Sequence, residues 1–192
     1  AGLYGDDCDF FTAKGMVEQL LDTLFISNYE FESSSDEYAY HPGRCAHIMI
    51  DDTVIGVIGE IHPKVAENYG INERILCFTL DVDSLFAHTQ TNATYTPLPK
   101  FPAVTRDLAL ICDEIIPVRM LEKAITKGAG NLLETIQLFD VYQGEQIESG
   151  KKSVAFNIVL RSAENTLAEE QVNSTMKKVM KELEKVGASL RV

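Results

Sequence analysis

Residues 153–162 constrain this chain more than any other segment. Val154, Phe156, Ile158 and Leu160 alternate there with Ser153, Ala155, Asn157, Val159 and Arg161. Successive side chains of a strand point to opposite faces, so only an extended strand gathers the four apolar groups on one side. Such a strand needs a cover for one face and leaves the other to solvent or a partner. The flanking sequence offers that cover. Pro117 opens a helix whose Val118, Leu121 and Ile125 share a face, ended by Gly128 and Gly130. A longer helix carries Val172, Met176, Val179, Leu183 and Val186 as an apolar stripe, and Thr166 with Glu169 forms a capping-box pattern before it.

Strands at 108–112 and 135–142, and an edge strand within 188–192, complete the order β-α-β-β-α-β. This is the ferredoxin-like arrangement: an antiparallel sheet with both helices on one face and the other face open. Upstream, Met16, Val17, Leu20, Leu21, Leu24 and Phe25 recur at helical period with Thr12 as the expected N-cap. Strands are expected at 48–50 and 54–58, joined through Asp51, Asp52 and Thr53, and again at 75–82, with a short helix opened by Pro63 and stopped by Gly70. The polar, Thr-rich stretch 87–97 reads as a linker. The chain is therefore expected to be α+β with two domains, 1–86 and 98–192.

Charge is divided unevenly between them. Residues 1–96 carry 4 Lys and Arg against 16 Asp and Glu, whereas residues 97–192 carry 13 of each, so the whole net charge of −12 lies in the first half. An acidic chain is a poor general polyanion binder, because phosphate binding needs cations that displace counterions. Any nucleic-acid contact is expected in the second half, where Lys151 and Lys152 adjoin and Lys177, Lys178 and Lys181 cluster. Cys8, Cys45, Cys77 and Cys112 stand far apart with no Cys-x-x-Cys pair, and read as reduced core thiols. His41, His47, His62 and His88 form no helical metal-binding pair, and no apolar run approaches the ~18–20 residues of a membrane helix. The start, Ala1-Gly2-Leu3-Tyr4, has neither an initiator Met nor a signal-peptide layout, and reads as an internal cut point.

From Pro99 the wording becomes specific. Lys100-Phe101-Pro102-Ala103-Val104-Thr105-Arg106-Asp107-Leu108-Ala109, Leu138-Phe139-Asp140-Val141-Tyr142-Gln143-Gly144, Gly150-Lys151-Lys152-Ser153, Asn165-Thr166-Leu167 and Gln171-Val172-Asn173 follow in order. Together they resemble the ferredoxin-fold anticodon-binding domain of phenylalanyl-tRNA synthetases. In the first half, Asp9-Phe10-Phe11 with Lys14-Gly15, His41-Pro42-Gly43-Arg44 and Gly59-Glu60-Ile61-His62-Pro63 look like the end of the catalytic-like module of the bacterial β subunit of that family. That module is similar in fold to a class II synthetase catalytic domain. Where the catalytic subunit has a Gly-rich strand and an ATP-holding Arg, this chain has residues 78–85, Phe-Thr-Leu-Asp-Val-Asp-Ser-Leu, with neither. An acidic segment cannot clamp a triphosphate by charge pairing, so the module reads as non-catalytic.

The resemblance implies binding of the tRNA anticodon stem-loop and subunit scaffolding within a cytoplasmic phenylalanine–tRNA ligase. Its α subunit would do the chemistry with ATP and Mg²⁺, neither having a site in this fragment, and tRNA(Phe) and that subunit would be the partners, with no DNA and no membrane. Arg106, Tyr142, Lys151, Lys152, Asn157 and Arg161 are the expected tRNA-binding residues. Splayed loop bases can stack on such a sheet and be read at their edges. Arg44, Glu60 and His62 read as structural, since no nucleophile or metal pattern accompanies them. Two rivals share the fold: an acylphosphatase-like hydrolase, disfavoured by the acidic loop 113–117, and a regulatory module that binds a small amino acid.

Overall fold

The computed structural model describes residues 1–5, 8–89, 95, 97–144 and 146–191. The chain divides into two compact units, Ala1–Tyr95 and Thr96–Val192.

The first unit runs β1 (Gly2–Tyr4), α1 (Phe10–Thr23), β2 (Tyr29–Ser33), β3 (Tyr40–Ile50), β4 (Thr53–Ile61), α2 (Pro63–Asn68), β5 (Ile75–Leu80) and α3 (Val82–His88). Its antiparallel sheet has the order β1-β5-β4-β3-β2. The tight β3–β4 turn places Asp51 and Asp52 at φ 46° and 64°. Two consecutive left-handed residues give the type I′ twist that matches a hairpin, and Asp tolerates that region better than a β-branched residue would. The core joins Ala13, Val17 and Leu21 of α1 to Ile48, Ile50, Ile55, Ile58 and Leu76 of the sheet.

Three expectations for this unit are corrected. Asp9, not Thr12, caps α1: its Oδ1 accepts from the Thr12 N–H at 2.7 Å, and Thr12 is the third helical residue. The strand expected to run to residue 82 ends at Leu80, because the Asp81 carboxylate accepts from the Ser84 N–H at 2.7 Å and starts α3. That helix runs through His88, so the expected linker overlaps it, while residues 90–94 and 96 of the linker lie outside the described residues. Strands β1 and β2 carried no clear alternation and were not expected.

The second unit runs β6 (Val104–Asp113), α4 (Val118–Ala129), a 3₁₀ turn (Gly130–Leu132), β7 (Leu133–Tyr142), β8 (Lys151–Leu160), α5 (Glu169–Lys185) and β9 (Ser189–Leu190). The antiparallel sheet order β7-β8-β6-β9 is that of a ferredoxin-like fold. Val154, Phe156, Ile158 and Leu160 are fully buried against Leu121 and Ile125 of α4 and Val179 and Leu183 of α5. Burying each such side chain contributes about 1.5–3 kcal/mol. The two helices meet at Gly128, where an added Cβ would lie 2.5 Å from the Val179 Cα. The capping box expected from Thr166 and Glu169 does not form; α5 begins later, and the Gln171 Oε1 accepts from the Ala168 N–H at 3.0 Å.

Candidate nucleic-acid interface

Register decides which side chains share the open face. Directly opposed residues of an antiparallel sheet project to the same side. On β6, β8 and β7 the rungs Thr105–Val159–Thr135, Asp107–Asn157–Gln137, Ala109–Ala155–Asp140 and Ile111–Ser153–Tyr142 therefore point away from the helices. Asp113 and Lys151 make the last rung. The opposite parity, Arg106–Ile158–Ile136 through Cys112–Lys152, points toward the helices.

This divides the six expected tRNA-binding residues. Tyr142, Lys151 and Asn157 lie on the open face, and Arg161 follows at the β8 end with the same parity. Asn157 donates to Asp107 Oδ1 at 2.7 Å. Arg161 pairs with Glu134 at 2.8 Å and donates to the Phe101 carbonyl. Lys151 holds Glu148 at 2.6 Å. That contact keeps the Glu148 carboxyl below the usual range and the Lys151 ammonium above it, chiefly through the hydrogen bond. Arg106 and Lys152 do not share this surface. Arg106 reaches Glu169 of α5 at 3.0 Å. Lys152 is only 8% exposed beside Cys112, because neighbours along a strand cannot face the same side.

Tyr142, 36% exposed, lies over Gly144, where an added Cβ would meet its hydroxyl oxygen at 2.4 Å. The bulge between Leu138 and Asp140 leaves Phe139, 57% exposed, as a further aromatic on the edge strand. The open face is not bare. Arg191 extends the β9 ladder, its N–H donating to the Ala109 carbonyl at 2.9 Å. Its side chain crosses toward β8, with Nη1 3.5 Å from Ser153 Oγ and Nη2 3.4 Å from Gln146 Oε1. The sequence reading missed Arg191; the parity of the short edge strand was the one signal that could have placed it.

In the first unit Glu60, 7% exposed, accepts both contacts of Arg44 Nη1, at 3.0 and 2.8 Å, and pairs with Arg74 at 3.2 Å. His62 caps α2 by accepting from the Lys64 N–H at 3.2 Å. These groups fasten β3, β4 and the segment before β5. Burial pushes the Cys45 and Cys112 thiols up, which keeps them unreactive. Among the described residues, no three His, Cys, Asp or Glu side chains group as a metal site, and no helix is long and apolar enough to cross a membrane.

Both units have recognisable relatives. Residues 99–191 match the family described as Ferredoxin-fold anticodon binding domain, and residues 2–82 match Phenylalanyl tRNA synthetase beta chain CLM domain. The fold and these matches define a pair of synthetase modules. The Phenylalanine--tRNA ligase beta subunit of Clostridium acetobutylicum is 41% identical over 191 residues, covering 99% of this chain and 24% of that protein. The beta subunit of Bacillus subtilis is 43% identical over 177 residues, covering 92% of this chain and 22% of its own length. The chain belongs to the bacterial phenylalanine–tRNA ligase β-subunit family, whose C-terminal region it matches. It spans about a quarter of the length of these relatives. Among solved structures, a cryo-EM structure of Arabidopsis thaliana MSL1 covers 95% of this chain and 61% of its own at a TM-score of 0.31 and 13% identity, too low to carry an argument.

Proposed function

We propose that this chain recognises the anticodon stem-loop of tRNA(Phe) and scaffolds the α subunit within a cytoplasmic phenylalanine–tRNA ligase. The α subunit performs the ATP- and Mg²⁺-dependent chemistry. The observation that carries the reading is the open face of the second unit, where Tyr142, Asn157 and Lys151 stand on a sheet whose other side is filled by α4 and α5. An unpaired base can stack on Tyr142, Asn157 can meet a base edge, and Lys151 and Arg161 can meet phosphates. Arg106 and Lys152 are left out of this surface by their parity. Residues 98–192 are the anticodon-binding domain in this reading, residues 1–86 the scaffold and 87–97 the linker.

The scaffold role is supported by apolar pairs turned outward at helical spacing. Met16 and Leu20 on α1 are 48% and 38% exposed, and Val82 and Phe86 on α3 are 57% and 71% exposed. Such exposed apolar surface marks an interaction site when it is not scattered singly. Titration of the full ligase with cognate and anticodon-altered tRNA tests the recognition role. Tyr142→Ala is expected to lose about 1–3 kcal/mol of stacking and narrow the gap between the two tRNAs. Lys151→Ala is expected to weaken both alike and reduce the salt slope by roughly 0.7–1. Unchanged affinity, discrimination and salt slope in both variants would place the anticodon elsewhere.

A further inference from the structure

Arg191 differs from the other arginines of its unit. Arg106, Arg119 and Arg161 each pair with a carboxylate, on Glu169, Glu122 and Glu134. Arg191 meets two neutral acceptors among the described residues, Ser153 Oγ at 3.5 Å and Gln146 Oε1 at 3.4 Å, both long for a guanidinium. Its backbone is nevertheless fixed by the 2.9 Å bond to the Ala109 carbonyl. A strand-mounted cation with weak neutral partners is ready to exchange them for an anion. Its neighbours are those of the open face: Ser153 is the β8 partner of Tyr142, and Lys151 lies one rung further along β8. Arg191 thus approaches the Tyr142 rung from the β9 side.

We propose that Arg191 binds a backbone phosphate of the RNA engaged by the open face, its fork of N–H donors leaving Ser153 and Gln146 for two phosphate oxygens. The assignment rests on the anticodon-binding reading and adds the residue that anchors the RNA backbone beside the base stacked on Tyr142. Guanidinium is suited to this because its donors match phosphate geometry bidentately, whereas an ammonium offers a point charge.

The test uses the full ligase carrying Arg191→Ala, Arg191→Lys or Tyr142→Ala, titrated with an anticodon stem-loop RNA and an anticodon-altered version at several salt concentrations. Arg191→Ala is expected to weaken both RNAs about tenfold, in line with a lost charge-assisted contact, and to lower the salt slope by about 0.7. Arg191→Lys is expected to restore the slope and part of the affinity, which also excludes misfolding as the cause. If Arg191→Ala changes neither quantity while Tyr142→Ala weakens binding, the Arg191 assignment falls and the anticodon-binding reading stands. If Arg191→Ala instead narrows the gap between the RNAs at constant slope, the phosphate assignment is overturned in favour of a base-edge contact. If none of the three variants alters binding, both readings fall together.

Discussion

Lys151 holds Glu148 at 2.6 Å, and in the proposed reading that contact limits what the lysine can offer an RNA phosphate. The pair is exposed, so its Coulombic worth to the fold is small. In that reading its effect on binding is larger, since Glu148 occupies the ammonium and adds a negative charge beside the open face. Glu148→Gln is therefore expected to tighten RNA binding a few-fold and steepen its salt dependence, with little change in melting temperature. Looser binding on the same titration would show that the ion pair positions Lys151 rather than competing for it. On β8 the face of each residue was legible from parity alone, whereas on β7 the bulge after Leu138 reverses the parity and hid the face of Tyr142. Val154 to Leu160 told which side of β8 is core, and the same count places Lys152 inward and Lys151 outward. The two lysines adjoin in sequence, which hides that they belong to opposite faces.

At the scale of elements, α4 and α5 touch through Gly128. A Cβ there would press on the Val179 Cα at 2.5 Å and the Val179 N at 2.8 Å, backbone atoms that cannot swing aside. Gly128→Ala is expected to destabilise the second unit by about 1–3 kcal/mol or more, against the gain that Ala normally brings to a helix interior. Denaturant melts would show it, and an unchanged or higher midpoint would contradict the close crossing. For α1, the Thr12 N–H bond holds the Asp9 carboxyl below the usual aspartate value. A depressed folded pKa contributes stability above the unfolded value, about 3.9, which is lost as pH falls through the lower folded value. The melting temperature lost in Asp9→Ala should accordingly be full at neutral pH and shrink below that range, and a pH-independent gap would remove the charge from the cap. Long, periodic elements such as α5 and β8 were readable because one face is consistently apolar. Caps were not: Asp9 and Thr12, and likewise Thr166 and Ala168, offer overlapping patterns that only the backbone resolves. The short strands β1 and β2 were missed because pairing with neighbours, rather than their own alternation, defines them.

Across the whole molecule, charge is divided unevenly between the two units. The net charge of −12 is carried by residues 1–96, which repel a polyanion, and their apolar helix pairs suit a protein partner. Residues 97–192 are balanced in charge and present a sheet face with an aromatic, an amide and several cations beside the carboxylates of Asp107, Asp113 and Asp140. In the proposed reading RNA meets this open face and not the helices behind it. The most direct measurement is crosslinking of the full ligase to an anticodon stem-loop carrying photoreactive bases, with the crosslinked residues identified by mass spectrometry. Crosslinks are expected at Tyr142 and at open-face positions of β8 such as Asn157. Crosslinks confined to the exposed residues of α4 and α5, with none on the sheet, would contradict that reading.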